Sequence, residues 1–146
     1  VQIEDQSYKN NMLRKITDAN LEDRILFLGK KPFEDLPKLF QGMSVVAALS
    51  RNEGYGLTPL EGMASGAAVL TSSEGVWDEL VRDGIDGYVV KTNDVFQTSE
   101  RLNTLIENSS KTKIMGENAA KYISENFSVE KEAEQIIQHI RYVQNI

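Results

Sequence analysis

The sequence predicts an α/β domain built on a doubly wound parallel sheet, with a helical tail at its C-terminal end. Short apolar runs alternate with helical patterns over residues 24–90, which is the order of parallel strands joined by crossover helices. The runs are continuously apolar rather than alternating, which is typical of strands covered on both faces. From Asp94 onward only helical patterns remain.

Four apolar runs are the predicted strands. They lie at residues 24–29 (RILFLG), 45–49 (VVAAL), 67–71 (AAVLT) and 87–90 (GYVV). Helices are predicted over residues 8–18, 33–42, 57–64 and 77–81, the last ending near Gly84. Three more helices are predicted in the tail, and Ser128 is a suitable N-cap for the third.

Length and composition indicate one ordinary globular domain spanning residues 1–146. With 16 Lys and Arg against 22 Asp and Glu, the net charge is −6, which disfavours binding nucleic acid or anionic lipid through bulk charge. The sequence has no cysteine and one histidine, His139. Disulfides, thiolate metal sites and multi-histidine metal sites are therefore excluded, and the composition fits a reducing compartment.

One stretch, residues 51–66 (RNEGYGLTPLEGMASG), carries the candidate chemistry. It runs from the end of a predicted strand through a glycine-bearing loop into a helix, and ligands of open parallel sheets bind at that edge. Gly54 and Gly56 would allow a ligand to approach the backbone, or would simply form a turn. Glu53 in the loop and Glu61 in the helix would both face the same crevice.

Glu61 has two interpretations on spacing alone. At about 100° per residue it lies beside the apolar side of the helix, so its carboxylate is partly buried and needs a partner such as a ribose diol. Alternatively, Thr58, Pro59 and Glu61 form a capping box, with Thr58 as the N-cap. Glu53 has a plain alternative too, as a solvated loop residue.

This stretch resembles a known family. Residues 53–61 (EGYGLTPLE) look like the E-x(7)-E motif of the retaining glycosyltransferases of family 4, written EGFGLxxLEAMAxG. Residues 24–29, 36–46, 81–90 and 127–128 resemble four further segments of that family, in the same order. The resemblance covers roughly residues 8–143, and it favours a functional interpretation of both glutamates.

The resemblance implies the Rossmann-like C-terminal half of a two-domain GT-B enzyme. Such enzymes bind a nucleotide-diphosphate sugar in this half and a saccharide or lipid-linked acceptor mainly in the other half, and they need no metal or other cofactor. The acceptor domain and a first β-α unit would then lie outside the 146 residues, and this chain alone would be inactive. A cytoplasmic location follows, with peripheral attachment at the inner face of the membrane as a further possibility.

The resemblance also implies roles for individual residues. Glu61 would hold the ribose hydroxyls, and Glu53, the candidate catalytic residue, would bind hydroxyls of the donor sugar. The remaining donor-binding residues would line the sugar and diphosphate through their backbone; they are Gly54, Tyr55, Gly56, Leu57 and Thr58. Lys31 and Pro32 would contact the base.

Several positions depart from the family pattern. An Arg and a Lys that neutralise the diphosphate have no match in this sequence, and Gly62 stands where the family has alanine. Ala67 and Ala68 replace a pair that contains proline. The segment 72–79 (SSEGVWDE) lacks a double glycine and is one residue longer, although Glu79 matches a loop glutamate of the family.

Two other functions stay open at this point. The departures are compatible with a non-catalytic α/β module that serves in protein contacts or regulation. The GT-B resemblance is also compatible with a sugar-nucleotide epimerase, which would use the same nucleotide site for a different reaction. Trp77 is expected to be a packing residue rather than a sugar-stacking platform, and His139 a surface residue.

Overall fold

The computed structural model describes residues 6–144. The two ends of the predicted domain 1–146, residues 1–5 and 145–146, lie outside the described residues. The chain divides into two compact units, the first ending at Leu36 and the second beginning at Pro37.

The first unit holds helix α1 (Gln6–Asp18) and two short 3₁₀ turns, Glu22–Arg24 and Phe33–Asp35. Helix α1 confirms the helix predicted over residues 8–18. The strand predicted over residues 24–29 is wrong, because residues 25–32 have no regular structure. An apolar run becomes a strand only where a neighbour supplies backbone hydrogen bonds, and no strand of the described residues pairs with this one. Leu26 is accordingly 80% exposed.

The second unit is built on a parallel sheet. Its strands are β1 (Val45–Ala48), β2 (Ala68–Ser72) and β3 (Gly87–Val90), in the order β1-β2-β3. Val46 pairs with Val69 and Leu70 with Tyr88 in a parallel register. The connecting helices are α3 (Thr58–Ala64) and α4 (Trp77–Leu80), and α2 (Leu36–Gln41) precedes the sheet. The predicted α/β class and the other three predicted strands are confirmed.

The predicted helical tail is also confirmed. It consists of α5 (Val95–Glu107), α6 (Ser109–Asn126) and α7 (Val129–Gln144). Asp94 caps α5 by accepting a 2.9 Å hydrogen bond from the backbone N–H of Gln97. The Ser128 hydroxyl accepts a 3.2 Å bond from the N–H of Lys131, as its predicted N-cap role requires.

The core lies between the sheet and the tail. Strand β2 is buried along its whole length, which explains its unbroken apolar sequence. Side chains of β2 and β3 pack there with Leu105 of α5 and Met115 of α6. Gly116 brings α6 directly against the carbonyl of Gly66, since a Cβ at position 116 would overlap that oxygen. Close backbone contact therefore fixes α6 on the turn before β2.

The turn that leads into β3 is closed by a partly buried ion pair. The Asp86 side chain is fully buried, and it accepts hydrogen bonds from Arg82 Nε at 2.7 Å and Nη2 at 2.6 Å. The Arg82 guanidinium also lies 4.4 Å from the centre of the Tyr122 ring. Its hydrogen bond to Asp86 is the main cause that raises the pKa of Arg82 above its ordinary value. The pair ties β3 to α6.

Parallel pairing brings the carboxyl ends of β1 and β2 to the same edge of the sheet. The loop 49–57 follows β1 and leads into α3, and the segment 73–76 follows β2 and leads into α4. Trp77, the first residue of α4, is 1% exposed and anchors that segment as the predicted packing residue. Within residues 6–144, no helix is both long enough and apolar enough to cross a membrane.

Candidate functional site

The loop 49–57 presents the predicted donor-binding residues at the carboxyl end of β1. Gly54 and Thr58 are exposed, Tyr55 is 49% exposed and Leu57 is 62% exposed. Gly56 has φ +65°, a left-handed conformation that glycine adopts without steric cost. The loop thus offers backbone and side-chain surface to solvent at the edge where parallel sheets bind ligands.

Glu53 is held within this loop rather than free in solvent. The Ser50 hydroxyl donates a 3.2 Å hydrogen bond to Glu53 Oε2. The glutamate side chain also occupies the space beside Gly56, because a Cβ at position 56 would lie 2.9 Å from Glu53 Cδ. The plain alternative of a fully solvated residue is therefore wrong, and Glu53 is half-buried.

The segment 73–76 packs on the same loop. The Ser72 hydroxyl donates a 2.6 Å hydrogen bond to the carbonyl of Ser50. Gly75 has φ +68°, and a Cβ there would lie 2.7 Å from the carbonyl oxygen of Gly54 and 3.0 Å from that of Glu53. The two loops therefore meet backbone to backbone beside the glutamate. A single glycine makes this contact in a segment that lacks the double glycine of the family pattern.

Glu61 lies on α3 and is half-buried, as its position beside the apolar side predicted. Among the described residues its carboxylate has no hydrogen-bond or ion-pair partner. Its backbone N–H donates a 2.9 Å bond to the carbonyl of Leu57. A partly buried carboxylate without a protein partner is suited to a ligand that supplies donors.

The predicted capping box is wrong. The N-cap of α3 is Leu57, in a helical conformation with φ −87° and ψ −22°, and no side chain caps the helix. Because the chain turns helical one residue before Thr58, the threonine already lies in the first turn. It therefore cannot take the extended conformation from which an N-cap hydroxyl reaches back to the helix.

Lys31 and Pro32 belong to the first unit. Both are exposed, and Pro32 has φ −56° and ψ 148° just before the turn Phe33–Asp35. Their predicted contact with a base stays a prediction. Glu79 is exposed on α4, and His139 is exposed on α7 as expected.

Sequence reasoning missed Ser50, Ser72 and Gly75. Ser50 and Ser72 each directly follow a predicted strand, so small polar residues at that edge were an available signal, whereas nothing in the sequence singled out Gly75. Within the described residues, no group of three or more His, Asp or Glu side chains could hold a metal ion. The arrangement offers carboxylates, hydroxyls and backbone groups, which recognise hydroxyl-rich ligands.

The family model described as Glycosyl transferases group 1 matches residues 3–122. The chain belongs to the glycosyl transferases group 1 family. The lipopolysaccharide core biosynthesis mannosyltransferase LpcC of Rhizobium leguminosarum bv. viciae is 37% identical over 136 residues, which is 93% of this chain and 38% of that protein. This chain therefore spans little more than a third of the length of that relative.

Solved structures give the same result. HepE of Anabaena in complex with UDP superposes with a TM-score of 0.84 at 30% identity, over 94% of this chain and 37% of HepE. HepE has also been solved with UDP-glucose. The C-terminal domain of LpcC from Francisella tularensis superposes with a TM-score of 0.80 at 28% identity, over 86% of this chain and 65% of that structure. The expected likeness to the C-terminal half of a GT-B glycosyltransferase is confirmed.

Proposed function

We propose that this chain is the donor-binding part of a retaining family 4 glycosyltransferase. The complete enzyme would transfer a sugar from a nucleotide-diphosphate sugar to a saccharide or lipid-linked acceptor. The observation that carries the proposal is the placement of Glu53. Its carboxylate is held by a serine hydroxyl at the carboxyl end of β1, within the stretch that resembles the family's E-x(7)-E motif.

Glu61 is proposed to bind the ribose. Two adjacent ribose hydroxyls are donors that match the two oxygens of one carboxylate. The carboxylate of Glu61 is half-buried and has no partner among residues 6–144, so ligand binding would satisfy it without breaking a protein contact. The absence of a capping role for Thr58 removes the structural alternative for this glutamate.

Glu53 is proposed to bind hydroxyls of the donor sugar, and the backbone of residues 54–58 to line the sugar and the diphosphate. Catalysis in this half would then consist of orienting the sugar and stabilising the departing diphosphate. The departing phosphate would take the acceptor proton, so no protein base is required in this chain. Metal-independence is part of the proposal.

The relatives support the choice of substrate class. HepE was solved with UDP and with UDP-glucose, and the Rhizobium relative is named a mannosyltransferase of lipopolysaccharide core biosynthesis. By analogy with them, we propose that the donor carries a hexose and that the acceptor binds through the rest of the enzyme. The process would be polysaccharide or lipid-linked glycan synthesis on the cytoplasmic side of the membrane. Membership of a glycosyl transferase family favours transfer over epimerisation and over a non-catalytic module.

The test is thermal unfolding of this chain with UDP, GDP and ADP and with their hexose derivatives. A ligand at 100 times its dissociation constant stabilises the folded state by about 2.7 kcal/mol. We expect one nucleotide to raise Tm, and Glu61→Ala to abolish that rise without changing the unliganded Tm by more than a few degrees. Glu107→Ala, the same substitution at an exposed position of α5, is the control and should keep the rise.

Two results would contradict the proposal. A chain that none of these nucleotides stabilises does not bind the donor. An equal loss of the Tm rise in Glu61→Ala and Glu107→Ala would show that Glu61 has no specific role in holding the ribose.

A further inference from the structure

We infer that Ser50 and Ser72 are positioning residues that orient the Glu53 carboxylate toward the donor sugar. The inference rests on the proposed function, in which Glu53 contacts that sugar. It assigns a role to two hydroxyls that the family resemblance does not cover. It also implies that the last residue of β2 influences how the loop after β1 binds the sugar.

The first step is a chain of two hydrogen bonds. Ser72, the last residue of β2, donates from its hydroxyl to the carbonyl of Ser50 at 2.6 Å. Ser50 then donates from its own hydroxyl to Glu53 Oε2 at 3.2 Å. Ser72 is 3% exposed and lies in the fully buried β2. The two hydrogen bonds thus connect Glu53 to a strand that is buried along its whole length.

The second step is confinement of the loop around the glutamate. Gly75 lies against the carbonyls of Gly54 and Glu53, where a Cβ would be within 2.7 Å and 3.0 Å. On the other side, the Glu53 side chain fills the space that the missing Cβ of Gly56 leaves open. Backbone contacts therefore limit movement of the loop, and the Ser50 hydroxyl selects the direction of the carboxylate.

The third step is that stability alone does not require the Ser50 bond. Glu53 is only half-buried, so water can reach its carboxylate and would replace the serine donor at little cost to the folded state. Water would not hold the carboxylate in one fixed direction, and a glutamate side chain loses rotamer entropy when a ligand has to fix it. A carboxylate that is already oriented binds sugar hydroxyls without that cost.

The experiment compares binding of UDP with UDP-glucose, and of GDP with GDP-mannose, by calorimetry on this chain. For the pair that binds, the Kd of the free nucleotide is divided by the Kd of its sugar derivative. This ratio measures how much the sugar contributes to binding, and Glu53 is proposed to provide part of that contribution. We expect Ser50→Ala to lower this ratio about fivefold and Ser72→Ala about threefold, the size of one hydrogen bond. The affinity for the free nucleotide should stay within about twofold.

Two further variants separate orientation from packing. Ser50→Thr keeps the hydroxyl and should keep the ratio, whereas Ser73→Ala removes a neighbouring exposed hydroxyl and should leave it unchanged. Thermal unfolding of each variant identifies any that fails to fold, and the Ser50 and Ser72 variants test the inference independently.

The outcomes separate the inference from the proposed function. If wild-type protein binds neither nucleotide, both fail. If it binds nucleotide and sugar nucleotide equally, Glu53 makes no sugar contact and the inference fails. If the ratio persists in both alanine variants, or falls equally in folded Ser50→Thr, the hydroxyls do not orient Glu53, and the proposed function stands without them.

Discussion

Gly62 of α3 lies directly against Val46 of β1, where a Cβ on the glycine would come within 2.8 Å of the valine Cγ2. Both residues are buried. The family pattern has alanine at this position, so this chain has a closer approach of helix and strand than that pattern indicates. The contact sets the distance of α3, and with it Glu61, from the sheet.

Gly62→Ala is therefore expected to destabilise the protein by about 1 kcal/mol. The added methyl overpacks the interface at a cost of about 1–3 kcal/mol, which the higher helix propensity of alanine offsets by about 1 kcal/mol. Chemical denaturation of Gly62→Ala, Val46→Ala and the double variant measures this. The double variant should be about 1 kcal/mol more stable than the sum of the single changes predicts, and simple additivity would show that the two side chains do not compete for space.

Gly56→Ala is expected to weaken binding of the sugar nucleotide. A Cβ at this position meets the Glu53 carboxyl at 2.9 Å and displaces it, and the positive φ adds about 1–2 kcal/mol of backbone strain. Gly84→Ala is the matched control, since Gly84 has φ +75° but nothing within 4 Å of its Cβ position. Both variants should lower Tm to a similar degree, and only Gly56→Ala should lose affinity in calorimetry. Equal affinity in the two variants would argue against a role for the Glu53 position.

Arg82→Met is expected to destabilise the protein by about 2–3 kcal/mol, because it leaves the buried Asp86 carboxylate without its guanidinium partner. This loss is smaller than the about 3–5 kcal/mol that is usual when a buried pair is broken, because the Arg82 side chain is 43% exposed. Lys113→Met, which breaks an exposed pair with Glu117 at 3.9 Å, should cost less than about 0.5 kcal/mol. Urea unfolding compares them, and equal losses would contradict the assignment of Asp86 as a buried anchor.

The pH dependence of this pair follows from its pKa direction. The pKa of Arg82 is raised above its ordinary value in the folded state. Its stabilisation is therefore fully present below the pKa of the unfolded chain, and it is lost only as pH rises through the folded-state value. Arginine stays charged between about pH 6 and 9 in both the folded and the unfolded chain. The difference in unfolding free energy between wild type and Arg82→Met, measured by urea unfolding, should therefore not vary through Arg82 titration over that range.

The pKa of Glu130 depends on its hydrogen bonds at the start of α7. Its own backbone N–H and then the Ser128 hydroxyl lower its pKa below the ordinary 4.5. A lowered folded-state pKa means that the associated stabilisation is present above 4.5 and is lost as pH falls through the folded value. Ser128→Ala should raise the pKa of Glu130 part of the way, because the backbone contribution remains. NMR titration of the Glu130 carboxyl measures it, and an unchanged midpoint would show that the hydroxyl has no influence.

Periodicity predicted most of the fold, because buried parallel strands and amphipathic helices leave local patterns. Strand β2 is the clearest case, since its five residues are all buried. The run at residues 24–29 shows the limit of that reasoning. Its composition is that of a strand, but strand formation depends on a hydrogen-bonding neighbour, which an apolar run does not reveal.

The sequence predicted the part of the candidate site that lies within one local segment, but not the contact between residues far apart in the chain. Glu53 and Glu61 stand out because they lie within one loop-helix segment. The bond from Ser72 to Ser50 joins residues 22 positions apart, and it exists because β1 and β2 pair with Ala48 opposite Thr71. Register of this kind is a tertiary property, so the two serines carried no signal as a pair in the sequence.

The most direct test of the central claim is to locate nucleotide-sugar binding on the chain by NMR. The ¹⁵N-labelled protein is titrated with the sugar nucleotide that raises its Tm, and amide shifts are followed. The account predicts that the largest changes occur at Gly54, Gly56 and Glu61, with smaller ones at Gly75. Changes confined to other surfaces, such as the exposed face of α7 around Ile136 and Ile140, would contradict it.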